Sequence, residues 1–231
     1  MKVALIIGGG SGMGAASACA LAGEGFKVAV MSSSGKGEAL GKDLGGIGFT
    51  GSNKSDSDIA NAVAKTMEVF GRIDVLVNSS GHGPKGDLLS LSDADWIEGT
   101  QVYFLNIMRA LRHVTPIMEA QGGGVILNIS TAWAFEPSAL FPTSSFARAG
   151  LAAVTKIYAD QYGPKNIRIN NILPGWIDSL PEKEGRAANV PLGRYGKAEE
   201  IGKTVAFLAS TGGAYITGQN IKVDGGLMRG I

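Results

Sequence analysis

The sequence predicts a doubly wound α/β fold: one parallel sheet of about seven strands with helices on both faces. Three observations carry that expectation. Short β-branched runs alternate with helical periods almost from end to end. The first run is followed at once by a glycine-rich turn that opens a helix. Glycine reaches 35 of 231 residues, far above ordinary usage, with no collagen period.

Val3–Ile7 is a continuous apolar run, as in a strand buried on both faces. Residues 27–31, 48–50, 74–77, 125–129, 167–172 and 221–223 read as further strands. Residues 15–22 follow the glycine turn as a helix, and over 56–70 the apolar positions Ile59, Val63, Met67 and Phe70 fall at helical spacing. Residues 93–120 form a long helical stretch, with further helices over 148–162 and 199–209. Strands separated by helices imply βαβ units with right-handed crossovers. No repeat or linker divides the chain, so residues 1–231 are expected to form one domain.

Composition excludes several classes. Lysine plus arginine is 21 against 20 acidic residues, a formal charge of +1, which argues against a nucleic-acid or acidic-membrane binder. The lone Cys19 excludes an internal disulfide framework and a cysteine zinc cluster, and no metal site is expected. The opening apolar run stops at Gly8, too short for a secretory core, and no stretch is long enough to span a membrane. A cytoplasmic protein is expected.

The turn Gly8-Gly9-Gly10-Ser11-Gly12-Met13-Gly14 satisfies a dinucleotide fingerprint through Gly10, Gly12 and Ala15, and a related spacing through Gly8, Gly12 and Gly14. Glycine there permits a tight turn, backbone approach to a pyrophosphate and close helix packing. The helix N-terminus adds N–H groups and partial positive charge. Ser11 and Met13 lie within the same loop. An adenosine-ribose binder usually carries a carboxylate about 20 residues further on. This chain has Ser32-Ser33-Ser34 and then Lys36, which suits a 2′-phosphate, so NADP(H) is favoured over NAD(H). A solvated Lys36 in a surface turn is the competing explanation.

On these residues the chain resembles the short-chain dehydrogenase/reductase family over essentially its whole length, with a Rossmann-type fold. Gly8, Gly12 and Gly14 look like its cofactor loop, although Ile7 stands where Thr is usual. Asn78-Ser79-Ser80-Gly81 is similar to its Asn-Asn-Ala-Gly turn. Asn53, followed by Lys54, sits where an adenine-contacting Asp is common. Pro174-Gly175-Trp176-Ile177-Asp178-Ser179 resembles the segment that holds the nicotinamide carboxamide and phosphates, and the resemblance assigns Pro174, Gly175, Ile177 and Ser179 to the cofactor. Residues 215–226 match the C-terminal strand signature.

The resemblance also implies a catalytic Tyr-x-x-x-Lys pair, a Ser and an Asn. Those positions hold Ser144, Arg148, Thr131 and Tyr103. Arg148 retains a cation but stays protonated. Tyr103 restores a phenol whose pKa an adjacent Arg148 is positioned to lower, or else it fills volume vacated at 144. His82 is placed in the substrate cleft, as a proton donor or a solvated loop residue. Trp133, Phe135 and Trp176 are read as cavity lining, with core packing the alternative. The segment 179–190, a helical lid in the family, is short and charged here.

Three functions remain. The first is an NAD(P)(H)-dependent oxidoreductase interconverting a small-molecule carbonyl and alcohol with a rearranged acid/base site. The second is a cofactor-binding pseudoenzyme acting as sensor or scaffold. The third is a lyase similar to halohydrin dehalogenases, which Arg148 fits and the intact glycine loop does not. A homotetramer or homodimer packed through helices 93–120 and 148–162 is implied by the resemblance.

Overall fold

The computed structural model describes residues 1–230. Seven parallel strands, β1 (Val3–Ile7), β2 (Lys27–Ser32), β3 (Ile47–Thr50), β4 (Val75–Asn78), β5 (Gly124–Ile129), β6 (Ile167–Pro174) and β7 (Gln219–Val223), form one sheet ordered β3-β2-β1-β4-β5-β6-β7. Alternate residues of β1 serve opposite layers, as the strand period requires. Leu5 and Ile7 join Met31, Leu76 and Ile126 beneath α3 (Asp56–Phe70), α5 (Asn106–Ala120) and α6 (Pro142–Tyr162). Ala4 and Ile6 join Val30, Val77 and Leu127 beneath α1 (Gly12–Gly23) and α7 (Ala198–Ala209). The predicted doubly wound class is therefore observed.

Two elements differ from expectation, and a third keeps its expected bounds with a wide turn inside it. Helix α2 (Lys36–Asp43) occupies a segment to which the sequence assigns no element. Its Gly37 and Gly41 lower helix propensity, but a Cβ at Gly41 would lie 2.2 Å from the Ile47 carbonyl oxygen, so close seating on the sheet requires glycine. The expected helix over 93–120 is α4 (Asp93–Thr100), a wide π turn (Gln101–Leu105) and α5 in one rod. Helix α6 begins at Pro142, whose fixed φ and missing N–H suit a first turn, rather than at 148.

An amide ladder crosses four strands in register. Asn78 Nδ2 donates to Asn128 Oδ1 (2.9 Å), Asn128 Nδ2 to Asn171 Oδ1 (2.9 Å), and Asn171 Nδ2 to Asn220 Oδ1 (2.8 Å). Thr155 of α6 adds a donor to Asn171 Oδ1 at 3.1 Å. The ladder ends at Asn78 Oδ1, which is buried without a hydrogen-bond partner. Among the described residues no helix is long and apolar enough to cross a membrane.

Candidate active site

Strand order reverses between β1 and β4, and ligands of such sheets bind beyond the strand C-termini at that point. The glycine turn sits there, and side chains would fill it. Gly8 has φ +76°, and a Cβ on it would lie 2.1 Å from the Ser79 carbonyl oxygen. A Cβ at Gly14 would lie 2.4 Å from the Gly8 carbonyl oxygen, and one at Gly10 2.7 Å from Ser32 Cβ. Gly12, at φ +54°, faces Ser179, with 3.1 Å left to its Cβ. Gly8 and Gly9 N–H groups both donate to the Met31 carbonyl at 2.9 Å, which pins the loop to β2. Ser11 precedes α1 in extended conformation with no side-chain cap, and the first turn carries no acid. The first-turn N–H groups around Met13 therefore have no side-chain acceptor competing with an anion. A backbone cradle of this shape fits a dinucleotide pyrophosphate.

The flanking residues divide. Ser33 is exposed just beyond β2, and Lys36 opens α2 beside Gly10, whose Cβ would meet Lys36 Cβ at 3.3 Å. The Ser32 hydroxyl, in contrast, accepts from Gly37 N (2.9 Å) and donates to the Ser34 carbonyl, closing the β2–α2 turn. That hydroxyl is thus engaged within the turn. Asn53 is half-buried in the turn after β3, while Lys54 Nζ is drawn 2.8 Å from Glu98 on α4. The Asn78 Nδ2 is committed to the ladder, while its Oδ1 is left without a partner. Gly81 is exposed with open space around it. Pro174 ends β6, and a Cβ at Gly175 would lie 2.9 Å from Asp224 Cα. Buried Ile177 bridges to Gly196, holding Ser179 toward the glycine loop.

The opposite wall is built around Arg148. From the second turn of α6 it donates Nη1 to the Ile129 carbonyl (2.7 Å) and Nη2 to Ser80 Oγ (2.8 Å). Burial pushes its pKa down to about 10, with Tyr103 opposing, so it remains a cation at neutral pH. Among the described residues no carboxylate lies within 4.0 Å of it. Tyr103, in the π turn, is 4% exposed; its hydroxyl accepts from Gly83 N at 2.6 Å, and its ring packs near Val102 and Ala147. That phenol ties down the loop as an acceptor and keeps its own O–H. Ser144 is buried one turn before Arg148, and Thr131 Oγ1 accepts from Trp133 N at 3.4 Å.

His82 lies between the two anchored residues Ser80 and Gly83. Partial burial, then Lys85 and Arg148, lower its pKa below the ordinary value. Trp133 and Trp176 meet with ring centres 4.4 Å apart, and Phe141 lies 5.2 Å from Trp133. Phe135 is exposed and stands outside this group. Sequence reasoning missed Phe141, Ser80, Lys85 and Arg186; Ser80 alone carried a signal, through its place in the Asn78–Gly81 turn.

A glycine cradle at the sheet's switch point defines a dinucleotide-binding enzyme of the doubly wound class. The chain belongs to the short-chain dehydrogenase/reductase family, NAD(P)-dependent oxidoreductases that act on CH–OH groups. Residues 8–228 match the family described as Enoyl-(Acyl carrier protein) reductase. The chain is 34% identical to the 3-oxoacyl-acyl-carrier-protein reductase FabG of Thermotoga maritima over 98% of both chains. It is 32% identical to the enzyme of that name from Staphylococcus aureus, again over 98% of each. The short-chain reductase protein NovJ of Streptomyces niveus is 32% identical over 97% of this chain and 93% of its own.

Proposed function

We propose that this protein, acting as one cofactor-binding domain, interconverts a carbonyl and an alcohol on a small molecule with NADP(H) preferred over NAD(H). The observation that carries the reading is the glycine turn, in which Gly8, Gly10 and Gly14 leave no room for a side chain. The nicotinamide supplies or accepts the hydride when bound. Ser33 and Lys36 border the loop where a 2′-phosphate would lie, with no carboxylate at the end of β2.

The acid/base site is rearranged. Arg148 holds a fixed positive charge beneath the cleft, favouring the developing alkoxide, and braces Ser80 and Ile129. Thr131 and Ser144 are the hydroxyls left at positions flanking it. His82 is the imidazole of this wall, and its lowered pKa favours the neutral form, able to accept a proton. NADPH oxidation against a panel of ketones and aldehydes tests the reading. Lys36→Ala is expected to weaken NADPH binding about tenfold and leave NADH unchanged; an equal effect on both would remove the 2′-phosphate assignment.

A second reading, a cofactor-binding protein without turnover, draws on one observation: the Arg148 guanidinium is spent on Ser80 and Ile129. Turnover restored by Ser144→Tyr with Arg148→Lys, in a native protein that is silent but binds NADPH, would favour it.

We further propose a homodimer or homotetramer joined through α4, α5 and α6. Trp96, Ile97, Leu105 and Phe146 line an apolar surface groove of about 470 Å³. Ile97 and Phe146 are 62% and 60% exposed, an arrangement typical of an interaction face.

A further inference from the structure

We infer that Trp133, Phe141 and Trp176 form a cradle for a planar aromatic ketone bearing a carboxylate, with Lys85 and Arg186 supplying the counter-charge. The inference rests on the oxidoreductase reading and names the substrate class for the same cleft.

The three rings come from separate segments. Trp133 follows β5, Phe141 precedes α6, and Trp176 follows β6. All converge at the C-terminal edge of the sheet, where Ser179 meets Gly12 of the cofactor loop. They are half-buried, unlike the core beneath them. Their planes are tilted by 52° to 56°, and intermediate burial leaves part of each ring open to the cleft. Buried Tyr195 backs the group, stacked 6.3 Å from Trp176. Tilted faces of this kind receive another flat ring in offset or edge-to-face contact, whereas a flexible aliphatic chain has no need of them.

Cations stand over the outer rings. Arg186 lies 3.9 Å from the centre of Trp176, and Lys85 Nζ lies 5.1 Å from that of Phe141. Among the described residues, neither has a carboxylate within 4.0 Å, and neither does Arg148 behind them. Neighbouring acids are otherwise engaged: Glu136 accepts from Gly230 N, and Asp178 accepts from Ala198 N at the start of α7. Glu182 and Glu184 are exposed on the short lid. Lys85 and Arg148 also face His82, whose pKa burial lowers first and these two cations lower further. Positive charge without acidic partners beside an aromatic surface selects a ligand that carries both an anion and a π face.

The test is fluorescence titration of the Trp96→Phe protein, which leaves Trp133 and Trp176 as the only tryptophans. Phenylglyoxylate has ring, ketone and carboxylate; acetophenone lacks the anion, and pyruvate lacks the ring. Titrations are run with and without NADP+, and NADPH binding is measured separately. Phenylglyoxylate is expected to quench with a Kd about tenfold below either comparison ligand. Lys85→Gln and Arg186→Gln are each expected to raise that Kd about threefold and to leave NADPH binding as it was. Equal Kd values for the three ligands, or no quenching by phenylglyoxylate in either condition, would overturn the cradle. So would an Arg186→Gln effect confined to NADPH, which would make Arg186 a cofactor residue. Quenching that persists where NADPH fails to bind would support the cradle and remove the oxidoreductase reading.

Discussion

The guanidinium of Arg148 lies over the ring of Tyr103, its central carbon 4.9 Å from the ring centre. The two residues replace, at adjacent points of the cleft, an ammonium and an amide that the family resemblance implies. Together they build a wall: Tyr103 holds Gly83, Arg148 holds Ser80, and the loop carrying His82 is stretched between them. A buried guanidinium without a carboxylate is costly unless its N–H groups are satisfied. Here the Ile129 carbonyl, Ser80 and the electron-rich face of Tyr103 do so.

Tyr103→Phe is therefore expected to act on stability first. It leaves the Gly83 N–H without its acceptor, a loss of about 1–2 kcal/mol for a part-buried donor, seen as a lower thermal midpoint. If turnover is found, its pH profile should keep its shape in this variant. A profile that loses a limb would make the phenol a proton donor after all.

The asparagine ladder gives a second stability prediction. Asn128→Ala strips an acceptor from Asn78 and a donor from Asn171, both buried, and should cost about 2–4 kcal/mol in chemical denaturation. The free end of the ladder gives a subtler one. Ile7 pairs in register with Asn78, whose Oδ1 has no donor. Val and Thr are close in volume, and at a buried position Val is ordinarily the more stable. At position 7 the order should reverse: Ile7→Thr is expected to match or exceed Ile7→Val by about 1 kcal/mol, one hydrogen bond's worth. A less stable Thr variant would show that Asn78 Oδ1 is satisfied in another way.

Much of this architecture is legible in the sequence because its signals are local. The run Val3–Ile7 and the glycines after it declare strand, turn and helix within 20 residues, and the doubly wound order follows. Helix α2 is hidden because Gly37 and Gly41, which weaken its pattern, are there for contacts with β2 and β3 that only the fold creates. The site divides in the same way. The glycine cradle is readable because one loop makes it. The roles of Arg148 and Tyr103 are not, because their partners Ser80, Gly83 and Ile129 lie on other elements, 68, 20 and 19 residues away. Phe141 and Arg186 likewise meet Trp176 only in three dimensions.

The oligomer proposal predicts a change in mass. Trp96 and Phe146 meet edge to face with centres 5.8 Å apart, and with Ile97 they present an apolar face that water disfavours. Ile97→Asp with Phe146→Asp should shift the protein to smaller species in light scattering, with the far-ultraviolet helix signal retained. Because both side chains are exposed, the substitutions carry little folding cost in an isolated chain. Unchanged mass would place any interface elsewhere.

His82 gives the pH prediction. Burial, followed by Lys85 and Arg148, lowers its pKa below 6.5, so the fold favours the neutral imidazole. Between the folded value and 6.5 the unfolded chain binds more protons than the folded one, and stability there rises with pH. The contribution is complete above pH 6.5 and is lost as pH falls through 6.5 toward the folded pKa. Imidazole signals followed by NMR should titrate below 6.5 for His82. Lys85→Gln should move that midpoint upward, because it removes a positive neighbour, and His82→Asn should flatten this part of the stability profile. An anion bound between Lys85 and Arg186 should also raise the midpoint, by neutralising the field that depresses it. A His82 midpoint at or above 6.5 in the free protein would mean that the loop is more open to water than its two anchors imply.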